Sequence, residues 1–341
     1  MTRAVSQVHL VGPPGLTDPA RPSGGNVYDL RLARALVERG VRVDLHESDA
    51  GSLDGVLTAF PDGSTVVVDG IIGSAAPDAI AAARGRLHVV VLVHLPLGLS
   101  VDGSAPRPGV EARALAAAEA VVCTSEWTRD WLAVEYGLRD VHVVPPGVSP
   151  APLARPSATG SRLLSVGAIT PVKGHDVLVA ALASLADLRW SWALVGASVD
   201  AAHATALWSA LHDAGLDDRV TLAGALTGPA LAAAYSAADL VVLPSRHETY
   251  GMVATEALAR GVPVLASDVG GVREALGSPV PGITVPADDA PALAAALREW
   301  LGSPDLRVRL RGLASDRRSK LTGWDVTAAD FLRVLEGVGS G

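Results

Sequence analysis

Cysteine is nearly missing from this chain. The single residue, Cys123, excludes an internal disulfide and a cysteine-based zinc site, and its setting, AVVCTS, is that of a buried strand in which a thiol serves as a small core side chain. Lysine is almost as scarce, for Lys173 and Lys320 are the only two among 28 basic residues. A bias this strong toward arginine suggests a GC-rich coding sequence, and it draws attention to a lysine that survives beside a glycine, as Lys173 does. Long apolar runs are missing too: no stretch reaches the roughly 18 residues that would span a bilayer. The opening MTRAVSQVHLVGPPG turns into a strand and a Gly/Pro loop without the apolar centre of a signal peptide. An excess of positive charge is also absent. A formal net charge of -8 and a pI near 5.6 remove the basic face of a general nucleic-acid binder, though a few placed donors can still hold a nucleotide. The expectation is a cytoplasmic protein with no transmembrane segment and no nucleic-acid partner, peripheral membrane contact being left open.

What is present is enough apolar material for more than one core. The 341 residues are 49% hydrophobic, with a mean hydropathy of +0.32, and a chain of this length exceeds the usual size of a single core. Short β-branched runs alternate with alanine-rich helical stretches. VHLVG, VRVDLHE, STVVVDG, LHVVVLVH and AVVCTS come first; RLLSVG, SWALVG, VTLAG, DLVVLPS, VPVLASD and GITVP follow after a Pro/Ser/Gly-rich linker over Val143 to Gly160. This alternation predicts parallel βαβ units and an α/β chain of two doubly wound, Rossmann-like domains. The expected boundaries are 1–150 for the first domain and 151–324 for the second. In the first helix, SGGNVYDLRLARALVERG, Ser23 or Asn26 is placed to cap, Gly40 to terminate, and Val27, Leu30, Arg34 and Val37, widened by Ala33 and Leu36, to form the apolar stripe.

Open parallel sheets bind ligands beyond the carboxyl ends of their strands. The segment SRHETYGMVATEALARGVPVLASDVGG places Glu248 at such an end, and Thr249, Tyr250 and Gly251 lead into a helix that starts near Met252. The amides of Tyr250, Gly251 and Met252 would face out of a helix N-terminus suited to a phosphate or sugar oxygen, and Glu256 lies about one turn further on. Two carboxylates in this spacing can act on different parts of one extended ligand. His94 follows an apolar strand and so also stands at a strand end.

These residues carry a resemblance. The Glu248–Glu256 segment is similar to the E-x7-E region of the retaining glycosyltransferases of family 4, which have the GT-B fold. Five other segments match in order: PSGGNVYDLRLARALVERGVRVDL the N-terminal Gly-Gly loop and helix, LVHLPLG the strand end with an active-site histidine, AEAVVCTSEWTRDWLAVEYGL and VHVVPPGV the approach to the linker, and VGAITPVKGHDVLVAAL the phosphate loop. The resemblance implies two domains facing across a cleft. It also implies a terminal helix, TGWDVTAADFLRVLEGV, that completes the first domain with residues 325–341.

It implies roles as well. Glu248 contacts hydroxyls of the donor sugar, Glu256 the nucleotide ribose, Lys173 the donor diphosphate together with the backbone of Gly24 and Gly25, and His94 the sugar near the reacting carbon. Carboxylates suit a vicinal diol, from which each accepts two charge-assisted hydrogen bonds. No Asp-x-Asp triplet occurs, in keeping with a transferase that needs no metal and no other cofactor. The expected reaction is transfer of a sugar from a nucleoside-diphosphate donor, UDP favoured, to a hydroxyl of a small-molecule, glycan or lipid-linked acceptor, with retention by a front-face route. GGNVYDL is similar to the loop of members that glycosylate small polyol phosphates. One departure stands out: the family's phosphate loop commonly begins Gly-Arg, whereas Ala168 follows Gly167 here, with Arg246 and Arg273 the candidates to replace the cation. An epimerase or phosphorylase of the same fold, and a non-catalytic nucleotide-sugar-binding partner protein, remain alternatives.

Overall fold

The computed structural model describes residues 4–20, 22–99 and 108–338. They fall into two compact units. The first takes the described residues of Met1–Asp18, Pro22–Gly147 and Thr322–Gly341, and the second those of Pro19–Arg21 and Val148–Leu321.

In the first unit β1 (Gln7–Gly12), β2 (Arg42–Glu47), β3 (Thr65–Asp69), β4 (His88–Val93), β5 (Ala120–Cys123) and β6 (Val141–Val143) form one sheet in the order β2-β1-β3-β4-β5-β6. Every pairing is parallel. The continuous apolar runs become central strands because helices cover both faces: β3 and β5 are buried along their whole length, whereas the edge strand β2 exposes every second or third residue. Cys123 is buried in β5, as its setting indicates. The strand β6 escaped the sequence reading, being three residues long and so too short to show a period.

The second unit repeats the architecture with β7 (Arg162–Val166), β8 (Ser191–Val195), β9 (Val220–Gly224), β10 (Leu240–Leu243), β11 (Val264–Ser267) and β12 (Gly282–Val285), all parallel, in the order β12-β11-β10-β7-β8-β9. The α/β, doubly wound character expected from the sequence is therefore present in both halves. The strand order reverses between β1 and β3 in the first unit and between β7 and β10 in the second. At such a reversal the loops leave in opposite directions and open a crevice at the carboxyl ends of the strands.

The helix Gly24–Glu38 is capped by Ser23, whose Oγ accepts from Asn26 N at 3.0 Å, and it ends before Gly40, which takes a left-handed φ of 86°. Its buried face is Tyr28, Asp29, Leu32, Ala33, Ala35 and Leu36, not the expected stripe through Val27, Leu30, Arg34 and Val37; Val37 is 54% exposed. The cause is the helix Trp324–Gly337, which packs beside it within the first unit. The Tyr28 ring meets Trp324 edge-on at 5.4 Å, and its hydroxyl donates to Val144 O at 2.9 Å. Thr327 Oγ1 donates to Pro145 O at 3.0 Å, closing the same corner. No helix among the described residues is long and apolar enough to cross a membrane.

Candidate active site

In the second unit, the loop that follows β7 and the loop that follows β10 meet at the reversal of strand order. The first ends in the short turn Pro171–Lys173, and the second carries Glu248. Lys173 Nζ donates to Glu248 Oε1 at 2.6 Å, and Ser245 Oγ donates to the same oxygen at 2.9 Å. The two side chains are 28% and 11% exposed, so the pair is open to a ligand on one side. Tight backbone approach holds it. Gly174 has φ 63°, and a Cβ there would lie 2.0 Å from Pro244 O, so only glycine lets the lysine turn come this close to the end of β10. Gly270 has φ 52° and its Cβ would meet Glu248 O at 1.8 Å, while Gly271 N donates to that same oxygen at 3.0 Å.

Arg246 fastens the two loops together. Its backbone N–H donates to Val172 O at 2.8 Å, its guanidinium grips Asp176 through two bonds of 2.9 and 2.6 Å, its Nε donates to Asp288 at 2.6 Å, and Nη1 also reaches Pro171 O. Arg273 donates to Asp268 at 2.6 Å. In this structure both candidates for the cation missing at Ala168 are paired with carboxylates, Arg246 with Asp176 and Asp288 and Arg273 with Asp268. Burial, with the charge of Lys173 behind it, pushes His175 down to about 3, so this neighbour is neutral and adds no cation. Lys173 is the cation brought to Glu248.

Past Glu248, Thr249 and Tyr250 lead to Gly251, which has φ 95° and precedes the helix Met252–Leu258; no side chain caps that helix. Glu256 lies inside it and accepts the Tyr235 hydroxyl on Oε2 at 2.7 Å. Arg260 stacks over the Tyr235 ring at 4.6 Å and donates to Glu256 O at 2.8 Å. Burial first, then the carboxylate of Glu256, raises the Tyr235 phenol well above its ordinary range, so it stays a donor to Glu256. Tyr235 was not singled out from the sequence, where it stands amid alanines in PALAAAYSAA.

The first unit builds a different group at its own reversal. Gly24 and Gly25 open the helix after β1, Asp69 is the last residue of β3, and His94 follows β4. His94 Nε2 lies 2.8 Å from Asp29 Oδ1 and 3.7 Å from Asp69 Oδ2. A Cβ on Gly25 would stand 3.0 Å from His94 Cδ2, so the glycine lets the helix N-terminus lie against the imidazole. Asp29 and Asp69 are buried, at 1% and 4% exposure. The Asp69 carboxyl is pushed up to about 7, chiefly by burial, with Asp29 adding to it and His94 opposing. His94 is raised because the attraction of Asp29 and Asp69 outweighs its burial, the largest single influence. Both aspartates were missed in the sequence. Asp29 stands four residues after Gly25, hence on the same helix face, and Asp69 ends an apolar strand; these were the available signals. Among the described residues these three are the group with metal-like spacing.

Two family profiles match this chain: one described as glycosyl transferases group 1, over residues 156–316, and one described as glycosyltransferase family 4, over residues 68–151. The D-inositol 3-phosphate glycosyltransferase 1 of Catenulispora acidiphila is 31% identical, with 94% of this chain and 93% of the relative covered. A D-inositol 3-phosphate glycosyltransferase of Xylanimonas cellulosilytica is 30% identical, with 91% of each covered. Among solved structures, sucrose-phosphate synthase from Thermosynechococcus elongatus superposes with a TM-score of 0.83 at 23% identity over 97% of this chain and 98% of that one. Anabaena HepE, in complex with UDP and glucose, gives 0.78 at 17% identity over 98% and 100%. Matched along nearly its whole length, the chain belongs to glycosyltransferase family 4, with the GT-B fold, and is a glycosyltransferase.

Proposed function

We propose that this enzyme moves a sugar, with retention and without a metal, from a nucleoside diphosphate, UDP favoured, to a hydroxyl of a small acceptor, a polyol phosphate being the first to try. The observation that carries this reading is the Lys173–Glu248 pair at the strand-order reversal of the second unit. A donor diphosphate competes with Glu248 for the Lys173 ammonium, and the carboxylate so released accepts hydroxyls of the donor sugar. Glu256, steadied by Tyr235, accepts from the ribose, and the amides of Thr249 to Met252 face the sugar and phosphate oxygens. The first unit supplies His94 to orient the sugar and the backbone of Gly24 and Gly25 to meet the diphosphate.

In the front-face step the bond from C1 of the sugar to the phosphate oxygen breaks, and the acceptor oxygen bonds to C1 on the same face. The acceptor proton passes to the departing phosphate. The protein provides position and stabilises the charge growing on the leaving group, for which Lys173 suffices without a metal. The names of the inositol phosphate transferases support a polyol phosphate acceptor, and the UDP in the HepE complex supports the choice of nucleotide.

Calorimetry with UDP, GDP, ADP and dTDP, each with magnesium and with chelator, tests the donor. One diphosphate should bind equally under both conditions and lose about tenfold, or about 1.4 kcal/mol, in Glu256→Gln. Binding that needs magnesium would overturn metal independence. A product of inverted anomeric configuration, read by NMR after transfer to an inositol phosphate, would overturn retention.

A further inference from the structure

The group around His94 holds more acid than a neutral imidazole requires. Two carboxyl groups and one ring converge, one ligand atom from each lying within 4.8 Å of the others; both aspartates lie in the interior, and the histidine side chain is 13% exposed. Asp69 has a second bond, accepting Ile71 N on Oδ1 at 2.7 Å, whereas Asp29 Oδ2 is buried with no hydrogen-bond partner among the described residues. Two anionic carboxylates in such a place repel each other and lose their hydration. The arrangement that relieves this is one charge on Asp29, one proton kept on Asp69, and a positive ring between them.

Resting on the transferase reading above, we propose that Asp29 and Asp69 are positioning residues that hold His94 as an imidazolium, its Nε2–H on Asp29 and its Nδ1–H offered as a hydrogen-bond donor to an oxygen of the transferred sugar. Nδ1 has no protein partner among the described residues, and Gly25 lies on the opposite edge of the ring, at Cδ2. A ring in this state cannot act as a base, in keeping with a route in which the leaving phosphate takes the acceptor proton.

Among the described residues the groups facing the ring are few. They are Asp29 from the helix Gly24–Glu38, Asp69 from the end of β3, and Tyr28, whose ring lies edge-on at 5.0 Å and whose phenol is held neutral by burial and by the charge of Asp29. The raised midpoint of His94 fixes the sign: the cation is complete at low pH and is lost as pH rises through that midpoint. Transfer efficiency therefore falls on the alkaline side, and removing the Asp29 charge moves that limb toward acid.

Long-range 1H–15N NMR of the full chain reads the ring directly, with the His94 signals assigned by their loss in His94→Gln. The wild-type ring should titrate above 6.5 and, when neutral, keep its proton on Nε2. Asp29→Asn should lower the midpoint by about one unit or more, and Asp69→Asn should lower it less. A wild-type midpoint at or below 6.5 overturns the proposal, as does one unchanged in a folded Asp29→Asn protein; should that variant not fold, an unchanged midpoint in Asp69→Asn overturns it. If the midpoint moves but the alkaline limb of kcat/KM does not, the positioning role is wrong. If no sugar is transferred at all while the ring titrates as expected, the reading of the reaction has failed and the imidazolium stands.

Discussion

At the strand-order reversal of the second unit one cation faces one carboxylate, and both reach solvent; at that of the first unit one imidazole faces two carboxylates in the interior. The sheets are of the same kind, yet the two groups suit different tasks. Lys173 and Glu248 are held by loops, so separating them exposes each to water or to a ligand of complementary charge, at a cost limited by their partial hydration. The His94 group is fixed by a helix, a strand end and the ring itself. Taking it apart would strand a buried charge, which is far more costly. On the proposed reading the second unit's exchangeable pair takes up and releases a diphosphate, and the first unit's fixed charge orients the sugar.

The strongest way to break this contrast is Lys173→Ala. If the pair is exchangeable, the variant loses its diphosphate ligand and roughly 100-fold or more of kcat/KM, while thermal stability changes little because the lysine is partly exposed. Nucleotide affinity unchanged by this variant would make Lys173 a structural partner of Glu248 and nothing else. The imidazole should show the reverse behaviour, responding to pH more than to nucleotide, which is what the Asp29→Asn titration reads.

How far the sequence showed these two groups follows from the range of the interactions that form them. Central strands were legible because burial on both faces writes a continuous apolar run, as in VVVLV of β4. Glu248, Glu256 and Lys173 were legible as a family pattern, and Lys173 also by rarity. Their pairing was not, since Lys173 and Glu248 meet across 75 residues and no local spacing records it. Asp29 was hidden by a misplaced helix stripe: the periodicity of Val27, Leu30 and Val37 is real, but Tyr28 and the C-terminal helix decide which face turns inward. Arg246 and Arg273 show the same limit from the other side. A nearby arginine looks unpaired in a sequence, and the structure shows the aspartates it pairs with.

A smaller effect would sharpen the account of the second unit. Tyr235→Phe removes one buried hydroxyl that donates to Glu256 and keeps the ring under Arg260. If Glu256 acts on the ribose, KM for the donor should rise roughly five- to tenfold, about the net worth of one hydrogen bond, with kcat nearly unchanged. An equal fall in kcat would instead place Glu256 at the reacting bond, and the division of labour between the two carboxylates would have to be redrawn.

The smallest effect is expected at Arg273, and its smallness is informative. The guanidinium is 64% exposed and paired with Asp268, so Arg273→Ala removes a surface ion pair of little energetic weight and should alter nucleotide affinity by less than about twofold at moderate salt. The proposed reading gives the second unit Lys173 as its cation for the diphosphate, and this variant measures whether that reading is complete. A tenfold loss of affinity would mean that Arg273 leaves Asp268 to meet the phosphates, that the cation missing at Ala168 is replaced after all, and that the exchangeable element of the second unit comprises two ion pairs which open together.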